Sequence, residues 1–489
     1  MTTHTKAHTL LTALLIAIIT FPAALRAQLV PREYRAVWLT TIQNLDWPKT
    51  LATTPERREV QKAELVSMLD ELQACGINTV LFQTRLRGTV AYPSAIEPWD
   101  VAFTGKAGRD PGYDPLSFAV DECHKRGMEL HAWIVTFPVC KAATVRALGG
   151  QTLPRRHPEL CQQSGDGYLM DPGVPGTGDY IASLCREIVE RYDVDGIHLD
   201  YVRYPEKGIA FNDARTYRRY GQGQSLHEWR RRNVTDVVRK IHRAVKDVRP
   251  WVKLSCAPVG KFADLSRYSS RGWNARDAVY QDAIAWQREG LMDVLFPMMY
   301  FDGDHFYPFL ADWAEQCGTG VVPGLGIYFL DPREGKWLLP AVKRQMNVNR
   351  SLGTGGYAMF RARFLTDNYR GLYDWTREFN RRSTLPPALT TVPALPPSQP
   401  QVKARIEGFR LHLTWHSSTH TDPTAPDGLP IYYNVYRTSP GEPVLLSTQQ
   451  TETSFILTPA LPSLLHACYG VTAIDAYGRE STITEVEAF

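Results

Sequence analysis

Along the first 380 or so residues, helical stripes alternate with unbroken apolar runs. Leu65, Met68, Leu69 and Leu72 stand at the i, i+3, i+4, i+7 spacing of an amphipathic helix that starts near Gln61 and is ended by Gly76. Ile77 to Phe82 follows as a buried strand. The succession recurs: a helix through Asp121, Glu122 and Cys123 ends at Gly127 ahead of Met128 to Val135, and Ile181, Leu184, Cys185 and Ile188 precede Gly196 to Val202. Tyr34 to Thr41 supplies a first strand. Val252 to Pro258, Met292 to Tyr300, Val321 to Tyr328 and Gly355 to Phe360 bring the count to eight. Apolar strands without polar alternation are those of a parallel sheet covered by helices, and eight βα units close most naturally into a (β/α)8 TIM barrel. An open doubly wound sheet is the alternative. It lacks the GxGxxG that should follow its first strand.

After Asn380 the texture changes. Leu385-Pro386-Pro387 through Pro396-Pro397-Ser398-Gln399-Pro400 is Pro-rich and predicts a semi-rigid extended linker. Short alternating strands follow at Leu411 to Trp415, Tyr432 to Tyr436 and Tyr469 to Ile474, the pattern of a β-sandwich. The expected fold is therefore α/β, a TIM barrel followed by a small all-β, immunoglobulin-like sandwich. The strand Trp and the later Tyr residues resemble the core of fibronectin type III modules over roughly the last ninety residues. Such modules are usually spacers or adhesion units.

The start of the chain carries a processing pattern. Lys6 precedes the apolar run Leu10 to Phe21, and Pro22-Ala23-Ala24-Leu25-Arg26-Ala27 has the small residues of a cleavage region. A signal peptide over 1–27, a barrel over 28–382, a linker over 383–401 and a fibronectin type III-like domain over 402–489 are expected. The product is then periplasmic or secreted. The run is short for a membrane span and no comparable one follows, so no stable span is expected in the mature chain. A net charge of +4 over 489 residues gives no nucleic-acid footprint. Export permits disulfides among the 8 Cys. Cys75 and Cys123 suit buried free thiols, while Cys140 and Cys161 flank a loop and are candidates to pair. No Cys/His grouping has zinc spacing.

Barrel enzymes hold their catalytic groups at the C-terminal ends of strands. In the fourth strand, Asp195-Gly196-Ile197-His198-Leu199-Asp200-Tyr201-Val202-Arg203-Tyr204-Pro205, alternation sends Ile197 and Leu199 to the helix layer, His198 into the barrel and Asp200 to its upper rim. Tyr201, Arg203 and Tyr204 lie beside it. An unpaired acid in an apolar strand is costly to bury, which favours a functional role over a loop cap or a partner for Arg203. Gln83 and Arg85 end the second strand, Trp133 lies in the third, and Tyr300, Asp302 and Asp304 follow the sixth. Trp38 and Trp47 are candidates for a sugar platform or for core.

Arg35-Ala36-Val37-Trp38-Leu39-Thr40-Thr41, Asp46-Trp47-Pro48, Phe82-Gln83-Thr84-Arg85, Tyr92-Pro93-Ser94, His131-Ala132-Trp133, Asp171-Pro172-Gly173 and Asp195 to Pro205 together resemble the glycosyl hydrolase-like 10 family, from Glu33 to about Arg363. That family includes bacterial enzymes acting on peptide-free glycan strands of peptidoglycan. The resemblance implies a barrel hydrolase of glycosidic bonds. The strand Asp195 to Asp200 also looks like the one bearing the nucleophilic Asp of α-amylase-type barrels. Many relatives carry two adjacent acids here, whereas Asp200 is followed by Tyr201.

Glycoside hydrolysis needs two carboxyl groups, one to protonate the leaving oxygen and one to attack or to activate water. The expectation is Asp200 in the second role and Glu206 as the acid, with Asp302 in reserve. Gln83, Arg85, Trp133, His198, Tyr201, Arg203 and Tyr300 are expected to bind and orient the substrate. The partner is a glycan or oligosaccharide, and the scheme requires no cofactor and no metal. A non-catalytic glycan-binding barrel and a metal-dependent polysaccharide deacetylase are the alternatives.

Overall fold

A computed structural model describes residues 30–268, 272–389, 391–392, 395–458 and 467–487. The expected signal peptide lies outside them.

β1 (Tyr34–Leu39), β2 (Thr79–Arg85) and β3 (Glu129–Val135) are parallel neighbours. Between β1 and β2 runs the helix Pro55–Ala74, which buries Gln61, Leu65, Leu69 and Leu72 on the predicted stripe. An excursion after β3 forms a separate antiparallel side sheet of β4 (Pro138–Lys141), β5 (Cys161–Ser164) and β6 (Gly167–Met170), with β6 in the middle. The chain then returns through the helix Pro175–Arg191 to β7 (Gly196–Asp200) and, after the helix Leu226–Lys246, to β8 (Lys253–Cys256). β9 (Val294–Leu295), β10 (Met298–Met299), β11 (Gly324–Leu325) and β12 (Gly356–Phe360) complete the series.

The parallel order is β10-β11-β12-β1-β2-β3-β7-β8-β9. Its two ends are halves of one segment, interrupted at Phe296-Pro297 because proline cannot donate to a ladder. Leu295 bridges to Val321 and Met298 bridges back to Val259, so the sheet returns on itself as the expected barrel. Residues that point outward, among them Ile197, Leu199, Leu130 and Ile134, belong to the large core shared with the helices. Inward residues form a second, smaller core of Tyr34, Ala36, Trp38, Trp133, Val135 and Phe296. Gly196 is required by this inner packing, because a Cβ there would lie 2.6 Å from the His131 ring.

The C-terminal residues form two further antiparallel sheets. One holds β13 (Val402–Glu407), β14 (Arg410–Trp415) and β17 (Ser454–Leu457); the other has the order β16-β15-β18-β19, from β15 (Ile431–Arg437), β16 (Val444–Gln450), β18 (Cys468–Asp475) and β19 (Thr484–Glu487). Leu411, Leu413, Trp415, Tyr433, Val435 and Val471 fill the space between them. This unit rests on the N-terminal end of the barrel strands. Glu33 donates to Leu385 O at 3.0 Å, Arg32 pairs with Glu480 at 2.6 Å, and Val30, Leu385 and Tyr436 share a small core. The Pro-rich segment is docked here: Leu389 packs on Leu429 and Tyr477. Every Cys is a free thiol, Cys140 and Cys161 included, and Cys75 and Cys123 are buried as expected. Among the described residues no helix is long and apolar enough to cross a membrane.

Candidate active site

Pairing of β3 with β7 sets Trp133 beside His198 and Val135 beside Asp200, so the inward side chains of both strands stack in layers toward the barrel mouth. His198 is fully buried. The Trp38 indole donates to its Nε2 at 3.1 Å, which leaves the proton on Nδ1 to be donated to Ser255 Oγ at 2.9 Å. Burial, with the charge of His131 next, holds the ring's pKa well below its ordinary value. His198 is therefore a neutral pillar under the site.

Asp200 is the layer above, with 6% of its surface exposed. Its Oδ1 accepts from the Tyr201 N–H at 2.7 Å and its Oδ2 from the Trp133 indole at 3.2 Å. The first bond needs a sharp reversal of the chain. Tyr201 takes it with φ of 52°, a left-handed conformation that a side chain adopts only at some cost. Burial raises the Asp200 carboxyl to about 6, against the charge of Arg203, these two hydrogen bonds and the charge of Arg87. Tyr300 is close enough for the Asp200 charge to add to the burial that raises its own hydroxyl. It stands in an aromatic wall with Trp38, Tyr328 and Phe360, at ring separations of 5.2 to 6.5 Å.

Glu206 lies beyond the turn and has the opposite electrostatics. Burial would raise it, but the hydrogen bond and the charge of Arg203, at 2.6 Å, hold it below the usual carboxylate range. Arg203, Tyr201 and Glu206 line one side of a groove of about 260 Å³ whose other wall is Phe137, Val139 and Tyr168 from the side-sheet excursion. The Arg203 guanidinium lies over the Tyr201 ring at 4.7 Å and near the Trp273 ring at 5.7 Å.

Two other predicted residues stand behind this surface. Gln83 spends its carbonyl oxygen on the Thr41 and Ile42 N–H groups, both at 2.9 Å. Arg85 has no exposed surface. It forms a two-bonded ion pair with Glu97, at 2.8 and 2.7 Å, and donates to the carbonyls of Val135 and Thr136, tying the end of β2 to the end of β3. Asp302 is exposed on a turn, where it accepts from the Gly303 N–H at 2.8 Å, and Asp304 is likewise exposed. Trp38 and Trp47 are core residues, each 1% exposed, so neither offers a platform. Among the described residues no three or more His, Cys, Asp or Glu come together as a metal site.

Sequence reasoning missed Glu97, Arg87, Lys141 and Trp273. Arg87 follows Arg85 by two residues and was open to the same strand-end logic. Glu97 and Trp273 reach their partners through loops, which carry no periodic signal.

The model of the family described as Glycosyl hydrolase-like 10 matches residues 33–317. "Glycosyl hydrolase DigH" of Escherichia coli (strain K12) is 35% identical over 366 residues, covering 68% of this chain and 83% of that protein. "Glycosyl hydrolase YngK" of Bacillus subtilis (strain 168) is 30% identical over 493 residues, covering 95% of this chain and 94% of that one. Among solved structures, the PgaB (BpsB) glycoside hydrolase domain from Bordetella bronchiseptica superposes with a TM-score of 0.51 at 15% identity, over 71% of this chain and 98% of that one. At that identity the likeness is one of fold.

Proposed function

The chain belongs to the glycosyl hydrolase-like 10 family, and on that footing we propose that this glycoside hydrolase is exported and cleaves the glycan strands of bacterial peptidoglycan or a related polysaccharide. Asp200 is its central carboxylate. The reading is carried by one observation: at the C-terminal mouth of the barrel, a buried acid with no basic partner in ion-pair contact among the described residues is aimed into the site by two hydrogen bonds.

The proton affinities favour an assignment of roles opposite to the one expected from sequence. A carboxyl raised to about 6 by burial keeps a proton into mildly acidic solution and suits the acid that protonates the leaving oxygen. Glu206, kept ionised by Arg203, suits the second carboxylate, which attacks or activates water. Tyr300 and Tyr201 orient the sugar. Trp133 and His198 hold Asp200 and its neighbours in register, and Gln83 and Arg85 brace the strand ends behind them. The C-terminal unit is read as a fibronectin type III-like module. Its sheets of three and four strands, joined around Trp415 and Tyr433, support this.

The test is release of reducing ends from peptide-free peptidoglycan and from a panel of other polysaccharides, followed across pH. A proton donor with a pKa near 6 requires the rate to fall as pH rises past that value. A rate that instead climbs through pH 6 would return Asp200 to the nucleophile's role. Binding without cleavage would make the protein a glycan-binding barrel, and acetate release a deacetylase. Turnover is expected to survive exhaustive chelation.

A further inference from the structure

The aromatic wall above Asp200 does not end at the barrel rim. From Tyr300 it passes to Tyr328 at 5.8 Å, from Tyr328 to Phe329 at 4.1 Å and from Phe329 to Trp337 at 5.0 Å. Trp337 stands on the connection from β11 to the helix Leu339–Ser351, which runs over 326–338 and is longer than a βα unit needs. This connection is an ordered arm. The Trp337 N–H donates to Phe329 O at 3.1 Å, Arg370 Nε donates to Leu330 O at 2.9 Å, and Arg333 pairs with Asp331 at 2.6 Å. Gly335 lies flush on Phe329, where a Cβ would come within 2.6 Å of the ring. The ordering nonetheless leaves apolar surface open. Trp47, Trp286 and Trp313 are fully buried, whereas Tyr328, Phe329 and Trp337 each keep part of their surface in solvent and Leu338, next along the arm, is 58% exposed. The Tyr300 and Tyr328 hydroxyls have no hydrogen-bond partner among the described residues. Partly open rings beside free hydroxyls, held by a loop the barrel does not require, fit the apolar face and polar edge of a pyranose ring. In the circle of strands β11 stands four places from β3, so the arm lies across the mouth from the side-sheet groove, with Asp200 between them.

We infer that the arm is a distal sugar-binding site, in which a pyranose ring beyond the one at the cleaved bond packs on Trp337 and meets the Tyr328 hydroxyl. The inference rests on the proposed reading that cleavage occurs at Asp200. Phe329 is the buttress, in ring contact with both Tyr328 and Trp337. Trp337 is then a specificity residue for chain length and for the position of the cut. Its contact is available only to a chain long enough to reach from Asp200 across the mouth to the arm. Such a contact is made before and during the reaction alike, so it acts through KM rather than kcat.

The experiment follows cleavage of size-sorted, end-labelled peptide-free peptidoglycan oligosaccharides by the full-length protein and its Trp337→Ala and Trp337→Phe variants. The ratio of kcat/KM for long over short chains cancels any effect of the variant on Asp200 that is common to both. Trp337→Ala should lower that ratio by about three- to tenfold, the scale of one aromatic contact, chiefly through KM for the long chains. It should also shift the sizes of the labelled products, which a merely structural role for Trp337 would not do. Trp337→Phe keeps a ring on the arm and should retain part of the ratio, which leaves a readout if Ala unsettles the loop. A native protein indifferent to length, or variants with the native ratio and native product sizes, would overturn the distal site while leaving the hydrolase reading intact. If no chain is cleaved, that reading fails and calorimetric binding decides the arm: a preference for long chains that Trp337→Ala removes upholds it, and equal binding rejects it.

Discussion

Two carboxylates point into the same barrel, and they meet opposite fates. Glu129 lies at the N-terminal end of β3 and Asp200 at the C-terminal end of the adjacent β7, roughly 20 Å apart along the strands. Both are buried. Burial alone would raise Glu129, but Lys253 at 2.6 Å and His131 at 3.1 Å more than offset it and hold the group below the ordinary carboxylate range. Asp200 accepts two hydrogen bonds but has no cation in contact among the described residues, and burial prevails. Pairing rather than depth decides the charge state. The closed end of the barrel is neutralised from within, while the open end keeps an unmet electrostatic demand where the proposed site lies.

The largest expected consequence concerns the unmet end. Asp200→Asn should reduce turnover by about a thousandfold, near 4 kcal/mol of transition-state stabilisation, as read by initial rates on oligosaccharides. A folded variant within tenfold of the native rate would remove the distinction drawn here. At the other end, Lys253→Met leaves Glu129 buried beside His131 alone and should cost about 3 to 5 kcal/mol in denaturant unfolding near neutral pH. Because the folded pKa of Glu129 is depressed, its stabilising contribution is full above the unfolded value and disappears as pH falls through the folded one. The deficit of Lys253→Met should therefore shrink in acid, and adding Glu129→Gln should recover much of it.

How far these ends were visible in the sequence depends on the range of the interaction. Alternation along Ile197, His198, Leu199 and Asp200 was enough to separate helix-facing from barrel-facing side chains, and the structure follows it. The eight strands were legible for the same reason, since each is a local run. Pairings across the fold were not. Glu97 reaches Arg85 across a loop, which turned an expected substrate ligand into a buried brace. The side sheet of β4 to β6 is built from short, mixed-polarity strands without a clear period, so the far wall of the groove went unseen. The i, i+3 pair of Arg203 and Glu206 was within reach of sequence reasoning, and it bears on the exchange of roles proposed for the two acids.

Smaller effects refine the contrast. The folded pKa of Asp200 is raised, so folding favours its protonated form. The associated stability is complete below the unfolded value near 3.9 and is lost as pH climbs through about 6. Asp200→Asn should accordingly unfold at higher denaturant than the native protein at pH 8, by about 1 to 2 kcal/mol, with the gain gone at pH 4. The margin is reduced because an Asn amide must turn its NH2 toward one of two donors, Tyr201 N–H or the Trp133 indole. A variant no more stable at pH 8 than at pH 4 would mean that Asp200 carries its charge without strain. Trp133→Phe is the mildest change. Loss of one donor to the ionised form should move the alkaline limb of the rate profile upward by less than about one unit. A downward move would contradict the assignment of that bond.

The docking of the C-terminal sheets on the barrel's N-terminal end also gives the molecule a polarity. Arg32 with Glu480, Glu33 with Leu385 and the contact of Gly127 with Thr448 all lie at the strand starts, while Asp200 lies at a strand end. Among the described residues, the groove beside Asp200 is lined by the barrel's own loops and side sheet, with none from the C-terminal sheets. Whatever is fastened to the far unit is therefore held on the side of the barrel opposite Asp200.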